Sequence, residues 1–286
     1  MSYLIIGDSC MDLTPEKKKD PHFQLIPLTL QVEEEQIVDD ESFDQLRFIR
    51  LVAASPECPK SACPAPEAFL NAYLSTEAEM IFVITLSEHL SGTYNSAMVA
   101  KRTLEEEHKG CGKQVAVFSS DSASCGEALL GFEIQRLAEA GLSFDEIVKR
   151  AADFRDRMST FFVLETLESL RKNGRLSGIK AFFASALNIK PVMGADHGVI
   201  IKVDQARGIN RALVRMVETV VGSVPDQENR TLGIAHCNCP DRAEFVKEEF
   251  LKRGSFRDVY ITETAGVSTL YASDGGIIVA LSLIHI

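Results

Sequence analysis

The sequence predicts an α/β fold with largely parallel sheets. Short apolar runs alternate along the chain with segments of helical spacing, and polar turns separate them. The run at residues 80–86 is almost entirely apolar, which is typical of a strand buried on both faces of a sheet. Residues 94–108 then repeat apolar side chains at helical spacing. Such alternation favours parallel strands joined by crossover helices.

The same patterns predict the remaining elements in order. Ser143, followed by acids in the first turn, predicts the start of a helix after a long helix that ends near residue 140. A turn signal at residues 196–198 predicts a hairpin between residues 192–193 and 199–203. Further strands are predicted at residues 3–6, 114–118, 160–166, 232–236, 258–262 and 276–281, and further helices at residues 167–173, 180–188, 209–221 and 240–253.

The pattern changes near residues 156–158, where a second series of strands and helices begins. We therefore predict two α/β domains, at residues 1–157 and 158–286. A length of 286 residues with 45% hydrophobic content suits one or two domains with a substantial core.

Charge and composition argue against several classes of protein. The formal charge of −11 disfavours nucleic acid as a partner and unassisted docking to an anionic membrane. Apolar runs stay short of 18 residues, so we expect no stable membrane insertion. Met1 leads directly into a predicted strand, so we expect no secretory signal and a cytoplasmic location. Seven irregularly spaced cysteines are then expected to be reduced thiols.

Motifs for nucleotides, catalysis or metals are missing from the sequence. It contains no P-loop, no dinucleotide fingerprint, no nucleophile elbow and no H-E-x-x-H. His236, Cys237 and Cys239 lie close together, but no second ligand pair follows at zinc-site spacing. We therefore expect no metal and no cofactor, and a strand end with packed thiols at residues 236–239.

Hydroxyl and carboxylate side chains follow three of the predicted strands. Because parallel strands end at one edge of a sheet, these loops are expected to converge on a crevice. Gly92 lets backbone approach a ligand, and the helix after it directs free N–H groups at the crevice, which favours an anion. The alternative is that each side chain only caps a helix. The side chains concerned are Asp8, Ser9, Ser87, Ser91, Thr93, Ser119, Ser120, Asp121 and Ser122.

Ordered motifs over some 190 residues resemble the DegV family. Residues 86–97, LSEHLSGTYNSA, are very similar to its L-S-x-x-L-S-G-T-Y-x-S-A motif. Residues 8–13, DSCMDL, resemble its opening D-S-x-x-D-L motif, and Asp121-Ser122 resembles a further D-S. Residues 170–177, LRKNGRLS, are similar to its L-x-K-G-G-R-I-S motif, and residues 189–192, IKPV, follow in the family's order.

The resemblance implies two α/β domains with a fatty-acid tunnel between them. The family holds the carboxylate on a Thr of a T-S-Q-P loop and on the Ser of the S-G-T motif. These positions fall here on Ser61 and Ser91. Ala62 and Cys63 depart from the first motif, and Tyr271 lies where the family's H-x-G-P-G motif begins. The departures imply an altered head-group site, in which the Tyr271 hydroxyl still donates a hydrogen bond.

The predicted site combines these observations. The ligand contacts are predicted to be Asp8, Ser9, Ser61, Ser91, Gly92, Asp121, Ser122 and Tyr271. Phe161, Phe162, Leu164, Phe182 and Phe183 are candidate tunnel residues, with ordinary core packing as the alternative. Arg175 is predicted to contact a partner kinase, with stabilisation of a helix C-terminus as the alternative.

The resemblance favours a fatty-acid-binding protein without chemistry of its own. It would bind an acid such as palmitate and present the carboxylate to an ATP-dependent fatty-acid kinase. A second hypothesis is a hydrolase or acyltransferase with Ser91 as nucleophile, although a base and an elbow are missing. A third is a sensor of small carboxylates or phosphates.

Overall fold

The computed structural model describes residues 2–176 and 188–283. The predicted helix at residues 180–188, except for its last residue, and Phe182 and Phe183 lie outside the described residues. The strands are β1 (Tyr3–Asp8), β2 (Phe23–Ile26), β3 (Thr29–Val32), β4 (Glu35–Val38), β5 (Lys60–Ala62), β6 (Met80–Thr85), β7 (Gln114–Ser119), β8 (Ser159–Val163), β9 (Ile189–Asp196), β10 (Val199–Arg207), β11 (Arg230–His236), β12 (Asp258–Glu263) and β13 (Ile277–Leu283). The helices are α1 (Gln45–Ala54), α2 (Pro66–Ser75), α3 (Thr93–Glu107), α4 (Cys125–Glu139), α5 (Phe144–Asp156), α6 (Glu168–Lys172), α7 (Ile209–Ser223), α8 (Pro240–Leu251) and α9 (Gly266–Ala272).

The first sheet is parallel, as predicted. Its four strands have the order β2-β1-β6-β7. Every residue of β6 is buried, because helices cover both faces of the sheet. Ile81 and Val83 pack against residues of α2 and α3, while Phe82 and Ile84 pack against residues of α4 and α5. This arrangement brings the loops after β1, β6 and β7 to one edge.

The second sheet corrects the prediction of largely parallel sheets. Its order is β10-β9-β8-β13-β11-β12, and among the described strands of this sheet only β11 and β12 pair in parallel. Two features cause this. The predicted hairpin is present as β9 and β10, with φ positive at His197 and Gly198. The last described strand, β13, enters between β8 and β11 and runs antiparallel to both.

Helix α4 lies between the two sheets. It contacts β1 and β6 of the first sheet and β11 and β13 of the second. Eleven of its fifteen residues are buried for this reason. Helices α7 and α8 cover the opposite face of the second sheet through Leu213, Val217 and Phe250. One core therefore continues from the first sheet through α4 into the second.

A small antiparallel sheet, β4-β3-β5, adds a layer that the sequence did not predict. Leu28, Leu30 and Phe48 pack there against Val267 and Leu270 of α9. The division into domains at residues 157 and 158 stays a prediction, although α5 ends at Asp156 and β8 begins at Ser159. No helix within residues 2–176 and 188–283 is long and apolar enough to cross a membrane.

Candidate functional site

An apolar pocket, here called the central pocket, is lined by loops after β1, β6 and β7 and by strands of the second sheet. It occupies about 740 Å³, part of it open to solvent. Phe162 and Leu164 line it, as the sequence predicted, whereas Phe161 packs against the core formed with α7. Its other apolar lining residues include Leu86, Leu90, Leu170, Ile200, Val267 and Ile278. Such a surface suits an elongated hydrocarbon, since burial of each methylene is worth ~0.8 kcal/mol.

The three predicted loops converge, and hydrogen bonds join them. The backbone N–H of Leu86 donates to Asp8 Oδ2 at 2.9 Å. The N–H of Ser87 donates to the carbonyl of Ser122 at 2.9 Å, and the N–H of Glu88 donates to Ser119 Oγ at 3.1 Å. The loop hydroxyls and carboxylates therefore largely satisfy one another and the backbone.

Asp8 and Ser9 hold the loops in place. The second oxygen of Asp8 accepts from the Cys10 N–H at 2.9 Å, and Ser9 Oγ accepts from the Leu28 N–H at 3.0 Å. Both side chains are buried. Burial raises the pKa of Asp8 to about 7, against the effect of the two backbone donors. Both side chains therefore stabilise the loops, and their contact with a ligand stays a prediction.

Ser91 and Gly92 begin helix α3. Ser91 Oγ lies 2.9 Å from Thr93 Oγ1 and accepts from the Thr93 N–H at 3.3 Å. A Cβ on Gly92 would lie 3.3 Å from Cys63 Sγ, so this glycine lets the segment after β5 approach. Ser91 is half-buried and keeps free capacity for a further hydrogen bond. In the part of the chain that the structure describes, its hydroxyl partner is Thr93, and His89 is exposed.

Ser61, Arg175 and Tyr271 form what we call the polar cluster. Ser61 Oγ lies 2.9 Å from the Tyr271 hydroxyl, 210 positions along the chain. The Arg175 guanidinium stands 5.5 Å from the centre of the Tyr271 ring. Its Nε donates to the carbonyl of Leu90, next to Ser91, at 3.1 Å. Arg175 and Tyr271 line the central pocket, and Ser61 is joined to it through Tyr271.

The Tyr271 hydroxyl is a neutral donor at physiological pH. Burial raises the pKa of Tyr271, and the contacts with Ser61 and Arg175 oppose the rise only in part. A neutral phenol next to a guanidinium suits an anion at this position, because each can donate to a carboxylate.

Asp121 and Ser122 line the central pocket with different partners. Ser122 Oγ lies 2.7 Å from Thr160 Oγ1. Asp121 accepts from Ser119 Oγ at 3.0 Å and lies 3.7 Å from Arg155 Nε. A carboxylate such as Asp121 would repel the head group of a bound acid. Groups that can donate hydrogen bonds to an anion lie instead at the polar cluster.

Helix α9, which carries Tyr271, is held at its start by two acids. Neither was predicted to have a role in the site. Asp39 accepts from the N–H groups of Gly266 and Val267 at 2.7 and 2.8 Å. Asp12 accepts from the Ala265 N–H at 2.6 Å. Asp12 is the second acid of the D-S-x-x-D-L motif, so the motif was the available signal. Nothing in its local sequence distinguishes Asp39 from a surface acid.

Residues 236–239 form a packed strand end. Cys237 is buried, and the Cys239 N–H donates to His236 Nδ1 at 3.3 Å. Burial lowers the pKa of His236 and raises the pKa of both thiols to about 11. Protonated thiols at neutral pH agree with the expected strand end of packed thiols.

The fold and the central pocket together define an α/β protein with an apolar pocket bordered by hydrogen-bond donors. A family model described as "Uncharacterised protein, DegV family" matches residues 2–283. A DegV domain-containing protein of Streptococcus pyogenes serotype M1 is 32% identical over 292 residues, which cover 99% of this chain and all of the relative. The chain therefore belongs to the DegV family.

Solved structures with similar folds include proteins crystallised with fatty acids. A DegV family protein of Ruminococcus gnavus, with vaccenic acid, is 44% identical, with a TM-score of 0.94 over 98% of this chain and 99% of the other. The Streptococcus pneumoniae Fatty Acid Kinase B3 protein, loaded with linoleic acid, is 29% identical, with a TM-score of 0.87 over both full chains. A Eubacterium eligens DegV protein loaded with heptadecanoic acid is 27% identical, with a TM-score of 0.88 over 99% and 100%.

Proposed function

We propose that this chain binds one long-chain fatty acid, with the acyl chain in the central pocket and the carboxylate at the polar cluster. The observation that carries the proposal is an apolar pocket with hydrogen-bond donors grouped beside it. Ser61, Tyr271 and Arg175 supply the donors, while Phe162 and Leu164 supply apolar lining. The fatty acids bound by three structural relatives support the same ligand class.

The proposed role is to carry the acid and present its carboxylate to a separate kinase. The Streptococcus pneumoniae relative is described as a fatty acid kinase B3 protein, which supports such a partner. The absence of a nucleotide-binding motif in this sequence agrees with a binding subunit that leaves ATP chemistry to its partner. We propose that the chain itself turns over no ester or thioester. We also propose that it presents the acid to the kinase in the cytoplasm.

Native mass spectrometry tests the ligand class directly. Protein purified from a bacterial host is expected to carry the mass of one fatty acid, and organic extraction is expected to remove it. Adding palmitate to the extracted protein should raise its melting temperature, because a ligand at ~100 times its Kd stabilises the folded state by ~2.7 kcal/mol.

A matched pair of substitutions on the hairpin locates the site. Ala195 lines the central pocket, whereas Val199 is exposed. Ala195→Phe is expected to abolish the palmitate-induced shift, and Val199→Phe is expected to keep it. A wild-type protein with neither bound lipid nor a palmitate-induced shift would refute the proposed function.

A further inference from the structure

The turn end of the β9–β10 hairpin extends beyond the strand that supports it. In the described part of the chain, β8 pairs with β9 at Met193 and Gly194 but not closer to the turn, whereas β9 and β10 remain paired up to the turn itself. A recess of about 470 Å³, partly open to solvent, has Thr160 of β8 and Ala195 of β9 in its lining. Residues 195–201, here called the flap, therefore belong to the hairpin but are not paired with β8.

The flap forms part of the wall of the central pocket. Ala195, Gly198 and Ile200 line the pocket, and the first two also line the recess. Val199 and Ile201, which alternate with Ile200 along β10, are exposed. The flap thus has the pocket on one face and solvent on the other, so its displacement would open the pocket to solvent.

A hydrogen bond at the turn holds the flap against the first sheet. Ser87 Oγ, in the loop after β6, donates to the carbonyl of Gly198 at 2.9 Å, and the His89 N–H donates to Ser87 Oγ at 3.3 Å. Ser87 is fully buried. Within residues 2–176 and 188–283, this is the one hydrogen bond between the flap and the loops of the first sheet. Because a single hydrogen bond contributes little net stability, the flap is held closed only weakly.

The base of the flap has two features that permit bending. On β9, Gly194 is the residue nearest the turn that pairs with β8. On β10, the register shifts between Lys202 and Asp204, which leaves Val203 in a bulge. A glycine has no side chain to pack within a strand, and a bulge bends the strand that contains it. Both strands of the hairpin can therefore bend where pairing with β8 ends.

We propose that the flap is the gate through which the fatty acid enters and leaves the central pocket, and that Ser87 holds this gate closed. The inference rests on the proposed function. It concerns the exchange of the ligand, and the polar cluster has no part in it. Ser87 acts as a positioning residue, because its hydroxyl is bonded to Gly198 and not to the acyl chain.

Association and release rates of radiolabelled palmitate, measured on delipidated protein with neutral phosphatidylcholine vesicles as acceptor, test the inference. Ser87→Ala removes the hydrogen bond to the flap. Both rates should rise by the same factor, roughly threefold to tenfold for the loss of one hydrogen bond. The Kd should hardly change, because the flap has to open for entry and for exit alike.

Gly198→Ala disturbs the same contact from the other side. Gly198 has φ +77°, and a Cβ there would lie 2.5 Å from Ser87 Oγ, so the flap could no longer lie as close to Ser87. Both rates are expected to rise in this variant as well. Circular dichroism melting of each variant identifies a loss of folding.

Ser120→Ala is the matched control. Ser120 is as buried as Ser87, but its hydroxyl donates to Ser122 O within its own loop, at 3.1 Å. It should change neither rate. Faster release with unchanged association in Ser87→Ala, or no change in either rate, would overturn the gate alone. Failure of the wild type to bind palmitate would overturn the proposed function, and the inference with it.

Discussion

Glu127 is a buried acid whose surroundings favour its protonated form. It is fully buried on α4, and neither carboxylate oxygen has a hydrogen-bond partner among the described residues. A carboxylate oxygen of Asp8 and the thiol of Cys10 lie within 4.8 Å of it. Burial and the Asp8 charge hold the pKa of Glu127 well above its usual range. A protonated Glu127 adds no second negative charge beside Asp8.

The same cluster predicts a pH dependence of folding. Burial also raises the pKa of Asp12 to about 7, and Asp39 adds a further negative charge nearby. Carboxyl groups with raised folded-state pKa values bind more protons in the folded than in the unfolded protein. Their contribution to the free energy of unfolding is therefore complete at acidic pH and declines as the pH rises, by at most ~1.4 kcal/mol per pH unit for each proton.

The substitution Glu127→Gln isolates this contribution, since Gln cannot titrate. Urea unfolding at several pH values is expected to show that wild type loses stability relative to Glu127→Gln as the pH rises from about 5 to 8. Glu139→Gln, at the exposed end of the same helix, should show no such trend. If the difference in the free energy of unfolding between wild type and Glu127→Gln did not change with pH, the result would contradict a protonated Glu127.

At the scale of elements, helix α9 links the small sheet to the polar cluster. Asp39 follows β4 and binds the first N–H groups of α9, and Tyr271 lies near the other end of that helix. The position of Tyr271 therefore depends on Asp39, which is not itself among the residues that line the central pocket. Loss of this link should move Tyr271 without removing any donor from the polar cluster.

Asp39→Ala tests the link. It leaves two buried N–H groups without their acceptor, so we expect a loss of ~1–3 kcal/mol in the free energy of unfolding. Affinities for palmitate and hexadecan-1-ol should fall together, because α9 also carries Val267, an apolar residue of the pocket lining. Asp40→Ala, in which the altered residue is exposed, is the control. Unchanged stability, or a loss confined to the acid, would show that Asp39 does not act through α9.

The local patterns of the sequence account for many of the elements. The continuous apolar run of β6, the turn of the β9–β10 hairpin and the Ser143–Glu146 capping box of α5 each have a short-range signal, and the structure contains all three. Strands β3 and β4 have four residues each, and the residues of β4 are partly or fully exposed. Strands this short and polar carry too weak a periodicity to be recognised.

At the scale of the whole molecule, the order of strands was the least predictable feature. Strand β13 pairs with β8, more than 100 residues earlier in the chain, and with β11, more than 40 residues earlier, and no local pattern encodes its position between them. The same holds for the polar cluster. Ser61 and Tyr271 were named through a family resemblance, whereas their contact with each other and the position of Arg175 beside them required the structure.

A crystal structure of the chain with bound palmitate tests the central claim most directly. We expect the acyl chain to run along Phe162, Leu164 and Leu170 in the central pocket. The carboxylate should lie within hydrogen-bond distance, roughly 2.7–3.2 Å, of donors from the polar cluster, including Tyr271 and Arg175. Palmitate bound at another surface, or lying in the pocket with its carboxylate away from Tyr271 and Arg175, would contradict the account.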